Sequence, residues 1–209
     1  MKKLLLSIIA VAGMAIAANA QEFGFKTGNV LLEGNINYNS TNNKDSKDKQ
    51  SSFGFSPKVG YFLSDKFAVG AEISLNSTKQ EDYSGVADID KENTFAVGVF
   101  GRYYFLEIGK RFKTYTEAGV AILSVKNESK NGTVTTESKS NGFGINAGLG
   151  ANYFLTEKVA INFTLANVIG YNSVKADVSG AKGTNNFYLN VNQFNNFFNT
   201  ATIGMTFKF

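Results

Sequence analysis

The chain closes with Thr200-Ala-Thr-Ile-Gly-Met-Thr-Phe-Lys-Phe209, and the reading of this stretch decides the fold. Ala201, Ile203, Met205, Phe207 and Phe209 fall on one side of an extended chain, and Thr202, Gly204, Thr206 and Lys208 on the other. Period-two alternation is the pattern of a strand with one apolar and one polar face. It runs through to an aromatic final residue, where the end of a soluble chain usually frays. The stretch is therefore read as a strand held in a sheet to its end.

Seven earlier stretches repeat the pattern. Gly28 to Tyr38 sets Val30, Leu32, Gly34, Ile36 and Tyr38 against Glu33, Asn35 and Asn37. Ser52 to Leu63 sets Phe53, Phe55, Val59, Tyr61 and Leu63 against Gly54, Ser56, Lys58 and Gly60. Further strands are predicted over Phe67 to Leu75, Asn93 to Phe105, Lys113 to Val125, Asn141 to Phe154 and Val159 to Tyr171. The sixth is the cleanest, with Phe143, Ile145, Ala147, Leu149, Ala151 and Tyr153 facing away from Gly142, Gly144, Asn146, Gly148, Gly150 and Asn152. Gly is abundant at 21, Phe at 19 and Tyr at 9, with a single Pro, a balance that suits strands. Strands of about 9–11 residues are long enough to cross a bilayer.

The connections alternate in length. Ser64 to Lys66, Leu106 to Phe112 and Leu155 to Lys158 read as short turns. The segments Asn39 to Ser51, Asn76 to Glu92, Lys126 to Ser140 and Asn172 to Asn196 read as long polar loops. Short turns on one rim and long loops on the other is the layout of an outer-membrane barrel. Gly60-Tyr-Phe-Leu-Ser-Asp-Lys-Phe-Ala-Val is echoed by Asn152-Tyr-Phe-Leu-Thr-Glu-Lys-Val-Ala-Ile, which indicates related hairpins within one domain.

The residue types say which face points out. The polar face is crowded with Gly, Ala, Ser and Asn, side chains suited to a cramped eight-stranded interior. On the apolar face, Tyr61, Phe67, Tyr103, Tyr153 and Phe207 fall near the short turns. Tyr38, Phe53, Phe95, Phe143 and Tyr171 fall towards the loops. Two such aromatic girdles are expected at the two membrane interfaces.

Residues 1–20 read as a secretory signal peptide. Lys2 and Lys3 form the charged head, Leu4 to Ala18 an apolar run, and Ala18-Asn19-Ala20 the small-residue cleavage pattern. Cleavage before Gln21 leaves 209 − 20 = 189 residues and lowers the net charge from +4 to +2 by removing two lysines. The chain has no Cys, which excludes disulfides and lipoprotein anchoring. No basic run suggests nucleic acid.

With its signal peptide, eight amphipathic strands, Gly-x-Gly alternation as in Gly142-Phe-Gly144 and Gly148-Leu-Gly150, and terminal Phe209, the mature chain (residues 21–209) resembles the small eight-stranded outer-membrane barrels of the OmpA/OmpX type. The reading is of a barrel without the extra periplasmic domain that some of these carry. The resemblance implies an all-β, eight-stranded antiparallel up-and-down transmembrane barrel in the outer membrane of a Gram-negative bacterium. It also implies a monomer in contact with outer-membrane lipid and lipopolysaccharide, with Phe207 and Phe209 as the signal for the barrel-assembly machinery. Members of such families are structural, adhesive, complement-evading, weakly pore-forming or enzymatic, so fold does not select the activity.

The candidate site is a set of inward charges, Glu33, Lys58, Glu72, Arg102 and Glu117. Isolated charges in a narrow interior are costly to desolvate and must pair or keep water. The principal reading is a packing network and the alternative a gate; which charges pair depends on strand shear. Outer-membrane lipid A deacylases, palmitoyltransferases and aspartyl-type proteases resemble one another in needing a histidine beside an acid or serine. The chain has no His, so no enzyme, transition metal or cofactor is expected. Asp45, Asp48, Glu81 and Asp82 lack a fixed calcium-ligand spacing.

The fourth long segment carries Phe187, Tyr188, Phe194, Phe197 and Phe198 among asparagines. It reads as an upward extension of the eighth strand, or else as a plug of the barrel mouth or an exposed contact patch. The functional expectation is a non-enzymatic barrel with an envelope-structural or adhesive role exercised by its extracellular loops. The alternative is a narrow porin-like channel gated by the interior charges.

Overall fold

The computed structural model describes residues 22–82, 88–190 and 202–209. The signal-peptide segment lies outside the described residues, as do Phe194, Phe197 and Phe198. The strands are β1 (Val30–Asn43), β2 (Asp48–Ser64), β3 (Phe67–Asp82), β4 (Asp88–Ile108), β5 (Phe112–Asn131), β6 (Val134–Phe154), β7 (Val159–Ala176), β8 (Thr184–Leu189) and β9 (Thr202–Lys208). Among the described residues, no helix is long and apolar enough to cross a membrane.

Every pairing is antiparallel between chain neighbours from β1 to β7, and β9 closes the ring between β7 and β1. Leu31 stands opposite Lys208 and Asn35 opposite Gly204 on one side; Val159 stands opposite Phe207 and Thr164 opposite Thr202 on the other. Phe209 extends the seam, its backbone N–H and carbonyl both bonded to Val30 at 2.9 Å. Over the span of β9 no backbone edge is open, as a strand-built membrane protein requires. β8 occupies the same eighth wall position higher up, with Thr184 opposite Val174 and Leu189 opposite Ile169.

Three connections, 65–66, 109–111 and 155–158, are short and form one rim. The opposite rim corrects the sequence reading. Segments expected to be long loops are largely strand, so that only 44–47 separates β1 from β2 and only Gly132 and Thr133 separate β5 from β6. Their period-two pattern is lost because both faces of these extensions meet water, and water demands no apolar residue on either. The backbone ladder continues regardless. β4 and β6, at 21 residues each, are about 70 Å long at ~3.3 Å per residue. A tilt of about 40° still leaves them far taller than a hydrocarbon layer of about 30 Å, so the hairpins stand clear of it.

Tyr61, Phe67, Tyr103, Tyr153 and Phe207 near the turn rim are exposed on the outer face, as are Tyr38, Phe53, Phe95 and Phe143 towards the hairpins. Ile73, Val97, Val99, Val120 and Ile145 fill the band between. The interior departs from the expectation of small side chains: Phe25, Phe62, Phe100, Tyr104, Tyr115 and Phe154 are buried at the turn end. Room for them comes partly from glycine. A Cβ on Gly70 would lie 2.7 Å from the Phe100 ring and 2.1 Å from the Val59 carbonyl. Register shifts at Ala147/Gly148 and Leu149/Gly150 break the simple alternation where β6 meets β7.

Because the hairpins are paired strand almost to their tips, trypsin acting on the detergent-folded protein is expected to cut at Lys44 and Lys47 well before Lys126 and Lys139. Peptide mass spectrometry over a digestion time course checks this, and equal cleavage at both sets would show that the upper ladders are not formed.

Candidate functional site

The inward positions of the wall strands at one level are polar, and each strand supplies one. Glu33 comes from β1, Lys58 from β2, Glu72 from β3, Arg102 from β4, Glu117 from β5, Asn152 from β6, Asn162 from β7 and Thr206 from β9. The structure brings together all five charges singled out in the sequence.

Arg102 is the centre and is fully buried. Its Nη1 and Nη2 donate to the two Glu33 carboxylate oxygens at 2.8 and 2.9 Å, a bidentate fork that matches guanidinium to carboxylate. Its Nε donates to Glu117 Oε2 at 2.7 Å. The guanidinium lies over the Tyr115 ring, 3.9 Å from the centroid, and a cation over an aromatic face gains further when desolvated. Lys58 bridges the other oxygen of Glu117 and, at 2.8 Å, Glu72.

Neutral groups complete the circuit. Glu33 Oε2 also accepts from Asn162 Nδ2 and from the Thr206 hydroxyl, each at 2.9 Å. Tyr104 donates to Asn152 Oδ1 at 2.7 Å, and Asn152 Nδ2 donates to Thr206 at 2.9 Å. Asn162 Nδ2 further donates to the Tyr115 hydroxyl at 2.9 Å. Glu33 Oε2 thereby accepts three bonds and Oε1 one, so each oxygen of this buried carboxylate has a donor. Tyr104, Tyr115, Asn152, Asn162 and Thr206 did not stand out in the sequence. Their only signal was inward parity, shared with many unremarkable residues.

Beneath this layer lies an aromatic one, completed by the segment before β1. Phe25 stacks on Phe62 with centroids 4.3 Å apart and meets the edge of Phe154 at 5.2 Å. Tyr104 touches the same group. The chain reaches this point through Gly28, whose φ of +88° suits glycine. Lys208 Nζ donates to the Gly24 carbonyl at 2.8 Å, and the Gly28 N–H to the Phe62 carbonyl at 2.9 Å. In the turn at 65–66, Asp65 accepts from the Thr27 N–H at 2.8 Å and the Thr27 hydroxyl at 2.9 Å. The segment stoppers the turn-side mouth.

Phe187 and Tyr188 do not form one patch. Phe187 is exposed on the outer face, and Tyr188, its neighbour in β8, packs its ring over Gly170 on the inner face. Phe207 and Phe209 both lie outward at the seam. Among the described residues, no group of His, Cys, Asp and Glu is arranged to hold a metal.

The family model described as "Outer membrane protein beta-barrel domain" matches residues 4–209. No curated protein matches the chain. Among solved structures, the outer membrane protein OprG of Pseudomonas aeruginosa is similar at 15% identity and TM-score 0.53, with 89% of this chain and 98% of that one covered. Neisserial surface protein A is similar at 16% identity and TM-score 0.42, covering 88% and 98%. Ail, the attachment invasion locus protein of Yersinia pestis, is similar at 12% identity and TM-score 0.44, covering 88% and 99%. At these identities the likeness to OprG concerns the fold alone.

Replacing Arg102 by Met leaves Glu33 buried without its cation, which is expected to cost about 3–5 kcal/mol. Lys58→Met, at a position with some solvent access, should cost less. Urea unfolding in detergent, followed by the change in gel mobility on boiling, checks both. Loss of no more than about 1 kcal/mol in Arg102→Met would show that the network carries little of the fold.

The Thr27 N–H and hydroxyl bonds hold the Asp65 carboxyl below its ordinary value of 3.8. The folded state therefore binds fewer protons at Asp65 than the unfolded state does. The tether is complete above about pH 4 and is lost as pH falls through the lowered value. The Thr27 amide resonance should shift in that acid range in the native protein and stay flat in Asp65→Asn.

Proposed function

Since the chain belongs to the outer membrane protein β-barrel domain family, we propose that it serves the bacterial outer membrane, where it resides, as a closed and non-enzymatic barrel. Its envelope-structural or surface-binding duty falls to the hairpins above the membrane. In this reading residues 1–20 are removed on export, Phe209 and the seam strand guide insertion by the assembly machinery, and the mature barrel sits as a monomer among lipid and lipopolysaccharide.

One observation carries the reading: the lumen is crossed by a fully hydrogen-bonded layer with Arg102 at its centre, directly above an aromatic layer. An eight-stranded wall leaves an interior that side chains can fill, and here they are large. Opening a path would mean parting Arg102 from Glu33 and Glu117 and withdrawing Phe25 from Phe62. Separating a buried pair exposes each charge to a poorly solvating interior. With the lumen closed, the tall ladders of β4, β5 and β6 are the part of the molecule that meets the exterior.

Purified protein reconstituted in planar bilayers is expected to be electrically silent while showing heat-modifiable mobility on gels. Discrete current steps in the native protein would replace this reading with that of a gated channel. Shortening the β5–β6 hairpin by removing residues 128–137 is expected to preserve the mobility shift and to reduce adhesion of producing cells to host or bacterial surfaces. Unchanged adhesion would assign the protein a purely structural duty.

A further inference from the structure

The segment ahead of β1 does not fill the turn-side mouth. A cavity of about 550 Å³ lies between that segment and the rim, within the size range of small-molecule sites. Phe23, Phe25 and Tyr104 give it an apolar side, and Lys66, Lys113 and Lys208 line it with ammonium groups. Two of these lysines are placed there by strand parity. Lys113 stands two residues before Tyr115 on β5, and Lys208 two beyond Thr206 on β9, so both continue inward faces already described. Both converge on Gly24. Lys208 Nζ donates to the Gly24 carbonyl at 2.8 Å, and a Cβ on Gly24 would lie 3.2 Å from Lys113 Cε and 3.6 Å from its Nζ. Gly24 has a φ of +117°, a conformation that suits glycine, and its missing side chain leaves the Lys113 ammonium room in the mouth.

Four lysines and four acids line this mouth, so net charge does not select a ligand there. The pairing of those groups does. Glu22 meets Lys26 at 2.5 Å within the segment. Asp65 is taken by Thr27, and Glu157 accepts from the Glu22 N–H at 3.3 Å. Among the described residues, Lys66 and Lys208 have no carboxylate within ion-pair distance. Lys113 has Glu107, which stands opposite it across the β4–β5 ladder, at 2.5 Å. The two ends of that pair are unequal: the Lys113 side chain is 7% exposed and that of Glu107 is 56% exposed. An ammonium held out of water needs an anion beside it, whereas a carboxylate at the surface loses little by turning away. Glu107 is therefore an exchangeable counterion for a lysine that must have one.

We infer that the turn-side mouth binds a small carboxylate with an apolar stem. The ligand carboxylate replaces that of Glu107 on Lys113 and accepts a second hydrogen bond from Lys208. An ammonium has three N–H groups, so Lys208 keeps its bond to Gly24 while it donates to the ligand. The stem lies against Phe23, Phe25 and Tyr104. The class of ligand follows from the site: the resident anion on Lys113 is itself a carboxylate, and the acids around the mouth repel a ligand of higher negative charge. The site lies at the end of the barrel opposite the hairpins, and the inference does not depend on what the hairpins meet.

The test uses the full mature chain folded in detergent, with 3-phenylpropionate as the probe and 3-phenylpropanol as its uncharged counterpart. Binding is read by titration from the amide resonances of Gly24, Lys113 and Lys208. The acid is expected to shift them saturably, and the alcohol to bind roughly tenfold or more weakly. Lys208→Gln should weaken binding of the acid roughly tenfold, whereas Lys44→Gln at a hairpin tip should leave it unchanged. Glu107→Gln should tighten binding roughly tenfold by removing the competing carboxylate, an effect that a merely structural Glu107 would not give. Equal affinity for acid and alcohol, a Glu107→Gln variant that binds no more tightly, or equal weakening in Lys208→Gln and Lys44→Gln would overturn the site. The change in gel mobility on boiling establishes that each variant compared is a folded barrel.

Discussion

The Arg102–Glu33 fork is the contact on which the rest of the barrel interior depends. It spans the lumen from β4 to β1, strands that never touch in the wall, and the remaining groups are arranged to make it affordable in a dry interior. Glu117 takes the third face of the guanidinium, and Tyr115 lies against its plane. Asn162 and Thr206 donate to Glu33 Oε2, which also accepts from Arg102 Nη1. A buried ion pair is not in itself a large source of stability, because desolvation offsets most of the attraction. Its effect here is on register. A one-residue slip in any strand would turn that strand's polar group out to the lipid and an apolar residue in.

The aromatic layer works with the polar one. The polar layer tolerates no stray water-filled gap below it, and Phe62, Tyr104, Phe154 and Phe25 fill that space. Phe25 is the member that the wall does not supply. It arrives from the segment ahead of β1, held by backbone bonds, Lys208 and Asp65. Tyr104 and Tyr115 join the layers, each with its ring among the aromatics and its hydroxyl in the hydrogen-bond circuit. A closed lumen and a tall outer rim follow from the same wall: the lower half is occupied by side chains, and the upper half is available to whatever the hairpins meet.

Much of this was legible in the chain. Strict alternation in Asn141 to Phe154 and in the terminal decapeptide sufficed to identify strands, outer face and strand count, because a membrane-facing wall must be apolar on every second residue. Inward parity alone also placed Glu33, Lys58, Glu72, Arg102 and Glu117 in one interior. The hairpin extensions were misread as loops because hydrophobic pattern reports burial rather than backbone pairing, and Ser51, Lys79 or Thr135 pair without being buried. Phe187 and Tyr188 looked like one patch in sequence, yet adjacent residues of a strand point to opposite faces.

The sequence by itself therefore determined what the bilayer imposes: strands, their apolar side, the girdles and the sign of the interior charges. Only the tertiary structure decided what shear and closure impose. It set Arg102 between Glu33 and Glu117, recruited Asn152, Asn162 and Thr206, and drew Phe25 into the mouth. Periodicity is a property of each strand alone, whereas these contacts depend on how far each strand is displaced along its neighbour, a quantity settled only when β9 meets β1 and the ring closes.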